Sequence, residues 1–218
     1  MSAVMHALGS FWISLGPPHL KAAVALLILY MVQAEVRFGK KARASTPGAS
    51  DRGSTWAISF AVNIPVLGLV IAIKAATDST THWLAFFRPS SPAAMPGMPA
   101  LAWFAVAAGA LGLVLRLWAV LVLRERYTRT LLVHDDHTIE RRGPYGLVRH
   151  PGYLGSLLTM NGMALATGNW VIFLASLAAT LAAYAHRIRV EDAMLVSTFG
   201  EPYESYRREV KALIPFVW

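Results

Sequence analysis

Cysteine is absent from this 218-residue chain, which excludes disulfides, a thiolate nucleophile and any Cys-based metal site, and leaves the redox compartment open. Charge is scarce too. Only 15% of residues are charged, against roughly a quarter in ordinary soluble domains. No strand runs into a Gly-rich turn and helix, so a Rossmann-type nucleotide domain is excluded. The one Gly pattern, Gly109-Ala110-Leu111-Gly112, lies inside an apolar run, where small residues serve close helix packing. No Lys or Arg precedes Lys21, and Pro17-Pro18 interrupts the short apolar stretch before it. The N-terminus therefore reads as a segment lying on a membrane rather than as a secretory signal.

Long apolar runs fill the space that charge leaves. Hydrophobic residues make up 56% of the chain and mean hydropathy is +0.47, which places it among integral membrane proteins. A spanning helix needs about 20 apolar residues, and stretches 19–36, 56–73 and 100–123 approach or exceed that length. A further apolar region, 154–185, is broken at Thr167-Gly168-Asn169, a tight-turn signal that makes it a helical hairpin. The expected fold is all-α and multi-pass, with about five transmembrane helices ending in a C-terminal hairpin.

Charge placement orients that bundle. With the N-terminus outside, one side collects Arg37, Lys40, Lys41, Arg43 and Arg52, then Arg124, Arg126, Arg129, Arg141, Arg142 and Arg149, then Arg187, Arg189, Arg207, Arg208 and Lys211. These are sixteen of twenty basic residues, leaving Lys21, Lys74 and Arg88 opposite and Arg116 within the third span. The positive-inside rule makes the crowded side cytosolic. The net charge of +8 then reflects topology and anionic membrane lipids. Nucleic acid is excluded as a partner, because the basic residues are spread over three loops without a binding module.

Chemistry is unevenly distributed. Residues 1–99 hold two spans and two Pro/Ser-rich connections and read as scaffold, whereas 100–218 hold nearly every candidate catalytic group. The first motif is Gly143-Pro144-Tyr145, then Arg149-His150-Pro151-Gly152-Tyr153 at the start of the fourth helix. Pro suits a first helical position. The backbone N–H groups of Gly152, Tyr153 and Leu154 would then face the cytosol at the positive end of the helix dipole, a setting that suits a carboxylate or phosphate. Arg149 and His150 add donors, and Tyr145 and Tyr153 offer flat faces. The bland reading of the same residues is an interfacial anchor of snorkelling Arg and headgroup-level Tyr.

The second motif is Arg187-Ile188-Arg189-Val190-Glu191-Asp192, with Phe199-Gly200, Tyr203 and Tyr206 beyond it. Helical spacing puts Arg187 and Glu191 on one face beside Ile188 and Leu195, with Asp192 on the other flank of that stripe. An ordinary surface pair in the Arg-before-Glu order is worth only about 0.3 kcal/mol. A helix that displays both signs as it leaves the membrane is instead suited to closing over a polar ligand.

Taken together, the two motifs resemble the isoprenylcysteine carboxyl methyltransferase family, over roughly residues 109–218. Ile214-Pro215 also fits, Arg116 and Trp118 fit more loosely, and Asp192 stands where that family usually has a second Glu. The resemblance implies a membrane methyltransferase that uses S-adenosylmethionine in a cytosolic cofactor pocket. A lipophilic or lipidated acceptor, most simply a prenylcysteine-like carboxylate, would enter from the bilayer. It further implies that Gly143, Pro144, Tyr145, Arg149, His150, Pro151, Gly152, Tyr153, Leu154 and Tyr203 hold the cofactor, while Arg187 and Glu191 are catalytic. Methylation of a lipid amine or thiol, an NADPH-dependent membrane reductase of related architecture, and a non-catalytic lipid-binding protein are the alternatives. Short loops and many alanines favour a bacterial inner membrane over the endoplasmic reticulum.

Two polar features stand apart. His134-Asp135-Asp136-His137 lacks the spacing of established metal motifs and reads as a solvated turn, so no metal is expected. Arg116, well inside an apolar span, is either a snorkelling side chain or a ligand-facing group in the bundle.

Overall fold

The computed structural model describes residues 16–42, 52–88, 90–123 and 139–214, with backbone only for 34–42. Five long helices occupy the spans marked by the apolar runs: α1 (Pro18–Ala42), α2 (Ser54–Thr77), α3 (Ala100–Leu123), α4 (Pro151–Ala166) and α5 (Trp170–Phe199). A short helix, α6 (Glu201–Glu209), follows. Among the described residues there is no strand, only an isolated bridge between Ala94 and Asn169. Helices α2, α3 and α5 are long and apolar enough to cross a bilayer. With 16 residues, α4 is about 24 Å long at 1.5 Å per residue, so it spans most of a hydrocarbon core.

The hairpin of α4 and α5 turns where the sequence breaks. Gly168 takes a positive φ of 71°, and the Asn169 carboxamide caps α5 by accepting from the amides of Val171 and Ile172. A satisfied cap of this kind is worth about 1 kcal/mol. The residues before α3 fasten this end of the bundle: Met95 N–H donates to the Gly168 carbonyl (2.8 Å) and Trp170 N–H to that of Ala93 (2.9 Å).

Helices α3 and α4 meet backbone to backbone. A Cβ placed on Gly112 would stand 2.7 Å from the Gly155 carbonyl oxygen, and one on Gly155 would stand 2.5 Å from that of Gly112. Only glycine permits this approach, which is how small residues bring membrane helices together. Near this contact lies Arg116. It is buried, donates to the Ser156 hydroxyl (2.6 Å) and the Gly152 carbonyl (3.3 Å), and lies over the Tyr30 ring. Arg116 thus bonds to the first turns of α4 from inside the bundle, and α4 carries the first motif.

Candidate active site

Pro151 opens α4 with His150 as the preceding cap residue, as the sequence suggests. The amides of the first turn are arranged differently from the expectation. Tyr153 N–H and Leu154 N–H both donate to the His150 carbonyl, at 3.0 and 3.1 Å, and Gly152 is buried. The first turn closes on its own cap carbonyl, which takes the amides of Tyr153 and Leu154 away from an anion site. Side chains therefore supply the polar surface here.

The C-terminal segment fixes that cap from outside. Arg149 N–H donates to the Lys211 carbonyl (2.8 Å) and His150 N–H to the Ala212 carbonyl (3.0 Å). Upstream, Gly143, Pro144 and Tyr145 form a 3-10 turn, Gly143–Gly146. Gly143 adopts φ 57°, and a Cβ there would come within 3.3 Å of the Trp118 ring. Tyr145 is buried, with its hydroxyl 3.4 Å from the Ala119 carbonyl, and its own carbonyl accepts from the Tyr206 hydroxyl at 2.6 Å. One turn thus joins α3 to α6.

Asp192 is the centre of the polar cluster. The carboxylate is 6% exposed. Its Oδ1 accepts from the Tyr203 hydroxyl (2.6 Å) and lies 3.0 Å from His150 Nε2, while Oδ2 accepts from Arg149 Nη2 (2.9 Å) and has Arg207 Nε at 3.8 Å. Periodicity shows that Asp192 sits beside the apolar stripe but cannot show that α4, α6 and the C-terminal segment all converge on that side. Burial, reinforced by the Asp192 charge, raises the Tyr203 hydroxyl well above its ordinary range. Tyr203 therefore remains a hydrogen-bond donor, and its hydroxyl is directed at Asp192.

Glu191 and Arg187 meet through a third residue. Tyr153 donates its hydroxyl proton to Glu191 Oε2 (2.5 Å) and accepts at the same oxygen from Arg187 Nε (3.1 Å). The Tyr153 ring stacks on His150, 5.4 Å between centroids and 8° from parallel, and Glu191 Oε2 lies 3.8 Å from His150 Nδ1. Arg187 is buried at 2% exposure. Its Nη1 donates to the hydroxyls of Ser54 (2.9 Å) and Thr55 (3.0 Å) at the start of α2. Sequence reasoning missed these two hydroxyls, because they lie where a Pro/Ser-rich connection meets an apolar span in the part of the chain read as scaffold.

Two cavities flank the cluster. A polar one of about 530 Å³ lies on the Asp192 side, lined by Arg149, Arg207, Lys211 and Ala212 among others. An apolar groove of about 260 Å³ runs between α3, α4 and α5, lined by Leu154, Leu157, Leu181 and Leu213 among others. Tyr153 belongs to the charged cluster, and its neighbour Leu154 lines the groove. The His134–His137 motif lies outside the described residues, and no group of three or more potential metal ligands occurs among those that are described.

This arrangement of a Pro-opened α4, its His-Tyr pair and the acidic turn of α5 can be set beside known proteins. Residues 105–197 match the isoprenylcysteine carboxyl methyltransferase (ICMT) family. The ICMT match contains the α3–α4 contact, the first motif and the Arg187–Asp192 turn. Among curated relatives, the protein-S-isoprenylcysteine O-methyltransferase of Schizosaccharomyces pombe is 37% identical over 84 residues, covering 38% of this chain and 36% of that protein. The probable enzyme of Oryza sativa subsp. indica is 31% identical over 109 residues, covering 49% and 57%. The chain thus spans less than two thirds of the length of these relatives. A solved structure of the eukaryotic intramembrane Ras methyltransferase ICMT superposes with a TM-score of 0.61 at 21% identity, covering 92% of this chain and 68% of that one. At that identity the likeness is one of fold, and it includes α1 and α2.

Proposed function

We propose that the protein is a membrane methyltransferase that uses S-adenosylmethionine to methylate a lipophilic acceptor, most simply the carboxylate of a prenylcysteine-type molecule at the cytosolic face. The observation that carries this reading is the juxtaposition at Tyr153 and Leu154: a charged, aromatic cluster begins at one residue and an apolar groove at the next. A lipid chain with a polar, reactive end needs both.

The donor set fits the cofactor. S-adenosylmethionine is cationic at sulfur and nitrogen, and Glu191 presents a part-exposed carboxylate beside the stacked rings of His150 and Tyr153. Carboxylates and aromatic faces are the groups that attract such cations. The cofactor, when bound, supplies an electrophilic methyl group for in-line displacement. Around it, His150, Tyr153 and Glu191 bind and orient, with Tyr145 and the 143–146 turn supporting them. Arg149 and Tyr203 act one step further out, by holding Asp192 and through it His150.

On the acceptor side, a carboxylate has an ordinary pKa near 3.5 and needs no general base. Arg187 supplies the positive charge that orients it, within a buried setting where charge interactions are strong. Leu154, Leu157 and Leu213 hold the chain and exclude water. Catalysis then rests on alignment. The test is to incubate the purified chain in lipid vesicles with methyl-labelled cofactor and a prenylcysteine analogue. Label in a base-labile ester supports the reading, label in an amine or thioether reassigns the acceptor, and no transfer together with NADPH binding overturns it.

A further inference from the structure

The guanidinium of Arg187 is held from α2, a helix outside the family match. We propose that Ser54 and Thr55 are positioning residues of the methyl-transfer site, acting through Arg187 and Tyr153 on Glu191. This rests on the methyltransferase reading above.

The geometry gives the interaction a direction. Two hydroxyl acceptors, Ser54 Oγ at 2.9 Å and Thr55 Oγ1 at 3.0 Å, meet the same Nη1. Because the guanidinium is planar and rigid, fixing Nη1 also fixes where Nε–H points, which is at the Tyr153 oxygen (3.1 Å). With one lone pair of that oxygen taken by Arg187, the phenol proton is committed to Glu191 Oε2 at 2.5 Å. Arg187 and Ser54 are buried, and Thr55 and Tyr153 are half-buried. The Glu191 side chain is 24% exposed, whereas Arg187 is 2% and Ser54 0% exposed. The open end is the carboxylate that faces the ligand, and the closed end is anchored in α2.

The start of α2 is itself kept in register against α5. His186, next to Arg187, places Nε2 3.3 Å from the Arg52 carbonyl. Ile58, one turn into α2, packs with Tyr153 and Leu154 against the cluster of Leu157, Tyr184 and Ile188. The N-terminal part of the chain, read from its sequence as scaffold, thereby contributes hydroxyl groups to the site.

The test compares the full-length chain with Ser54→Ala/Thr55→Val, Tyr153→Phe and the triple variant in lipid vesicles. Methyl transfer is measured beside calorimetric titration with S-adenosylhomocysteine. Loss of alignment in Ser54→Ala/Thr55→Val is expected to lower kcat about tenfold or more. Binding of S-adenosylhomocysteine should stay within about twofold and KM should change little. The triple variant should be slower than Tyr153→Phe alone by less than the separate losses combined, because all three changes act on one linked set of bonds. Ser54→Thr, which keeps a hydroxyl, should retain more turnover than Ser54→Ala. Unchanged kcat in the double variant, fully additive losses, or loss of cofactor-product binding with the two hydroxyls would each overturn the proposal. Failure of the methyltransferase reading itself appears separately, as a wild-type chain that transfers no methyl group.

Discussion

His150 Nε2 lies 3.0 Å from Asp192 Oδ1 across forty-two residues of sequence, and the same carboxylate also accepts from Arg149 and Tyr203. Removing its charge leaves Arg149, whose side chain is 9% exposed, without its buried counter-ion. Such a loss typically costs about 3–5 kcal/mol. Asp192→Asn is therefore expected to lower the melting temperature by roughly 6–20 °C. It should be more damaging to stability than Glu191→Gln. Thermal unfolding of the two purified variants decides the order, and a melting temperature for Asp192→Asn equal to that of the wild type would count against a central role for this carboxylate.

His150 can be separated from its backbone role. Its amide is held by the Ala212 carbonyl and its own carbonyl closes the first turn of α4, and both survive truncation of the side chain. His150→Ala should leave the protein folded yet weaken S-adenosylhomocysteine binding, because the ring that stacks on Tyr153 is gone. Calorimetry reads the change directly. Unaltered affinity in a folded variant would move His150 from the cofactor surface to the interfacial anchor.

Arg187 and Glu191 should both affect transfer. Arg187→Lys keeps the charge but loses the planar fork that spans Tyr153 and the α2 hydroxyls, and turnover is expected to fall by about tenfold or more. Glu191→Gln keeps a hydrogen-bond acceptor for Tyr153 but removes the negative charge beside the donor, so turnover should fall here as well. Initial rates at saturating cofactor test both. Near-normal rates in both variants would reduce the pair to an ordinary contact on the helix surface.

The contrast between Glu191 and Asp192 shows what a sequence can reveal. Apolar runs, the Thr167–Asn169 break and Pro151 as a helix opener are local signals, and the helices form where those signals lie. The closeness of Gly112 and Gly155 was legible in part, since small residues within a span imply a close neighbour. Convergence was not. The bond from Arg187 to Ser54 joins residues 133 positions apart, and no periodicity within either helix points toward the other. The first-turn amides of α4 differ from the expectation because a cap carbonyl accepts the first intrahelical bond, so with His150 as cap the Leu154 amide is already engaged, and Tyr153 N–H shares the same acceptor.

Tyr203 makes stability sensitive to alkaline pH. Burial and the adjacent Asp192 raise its hydroxyl above the ordinary value of 10.0, so the folded chain keeps a proton that the unfolded chain releases. The sign follows from linkage. The contribution is complete below about pH 10 and declines as pH rises beyond it. Tyr206, raised mainly by burial, acts in the same direction. Tyr203→Phe should lower stability at neutral pH, by removing a donor to Asp192, while flattening part of the loss above pH 10. Melting curves recorded from pH 7 to 11 would show it, and parallel declines in wild type and variant would rule out the assignment.

Topology gives the most direct test of where the site faces. In the five-span reading of the sequence, sixteen of the twenty basic residues fall on one side of the membrane and three on the other. The cost of moving basic loops across a membrane sets orientation. Reporter fusions after Ala49 and after Val217 should therefore be cytosolic, and one after Pro96 should be on the far side. The Pro96 fusion is the critical one, because residues 93–95 pair with the α4–α5 turn at the end of the bundle away from His150 and Asp192. A reporter there that reads as cytosolic would invert the bundle and expose the charged cluster to the outside, where no supply of S-adenosylmethionine is expected.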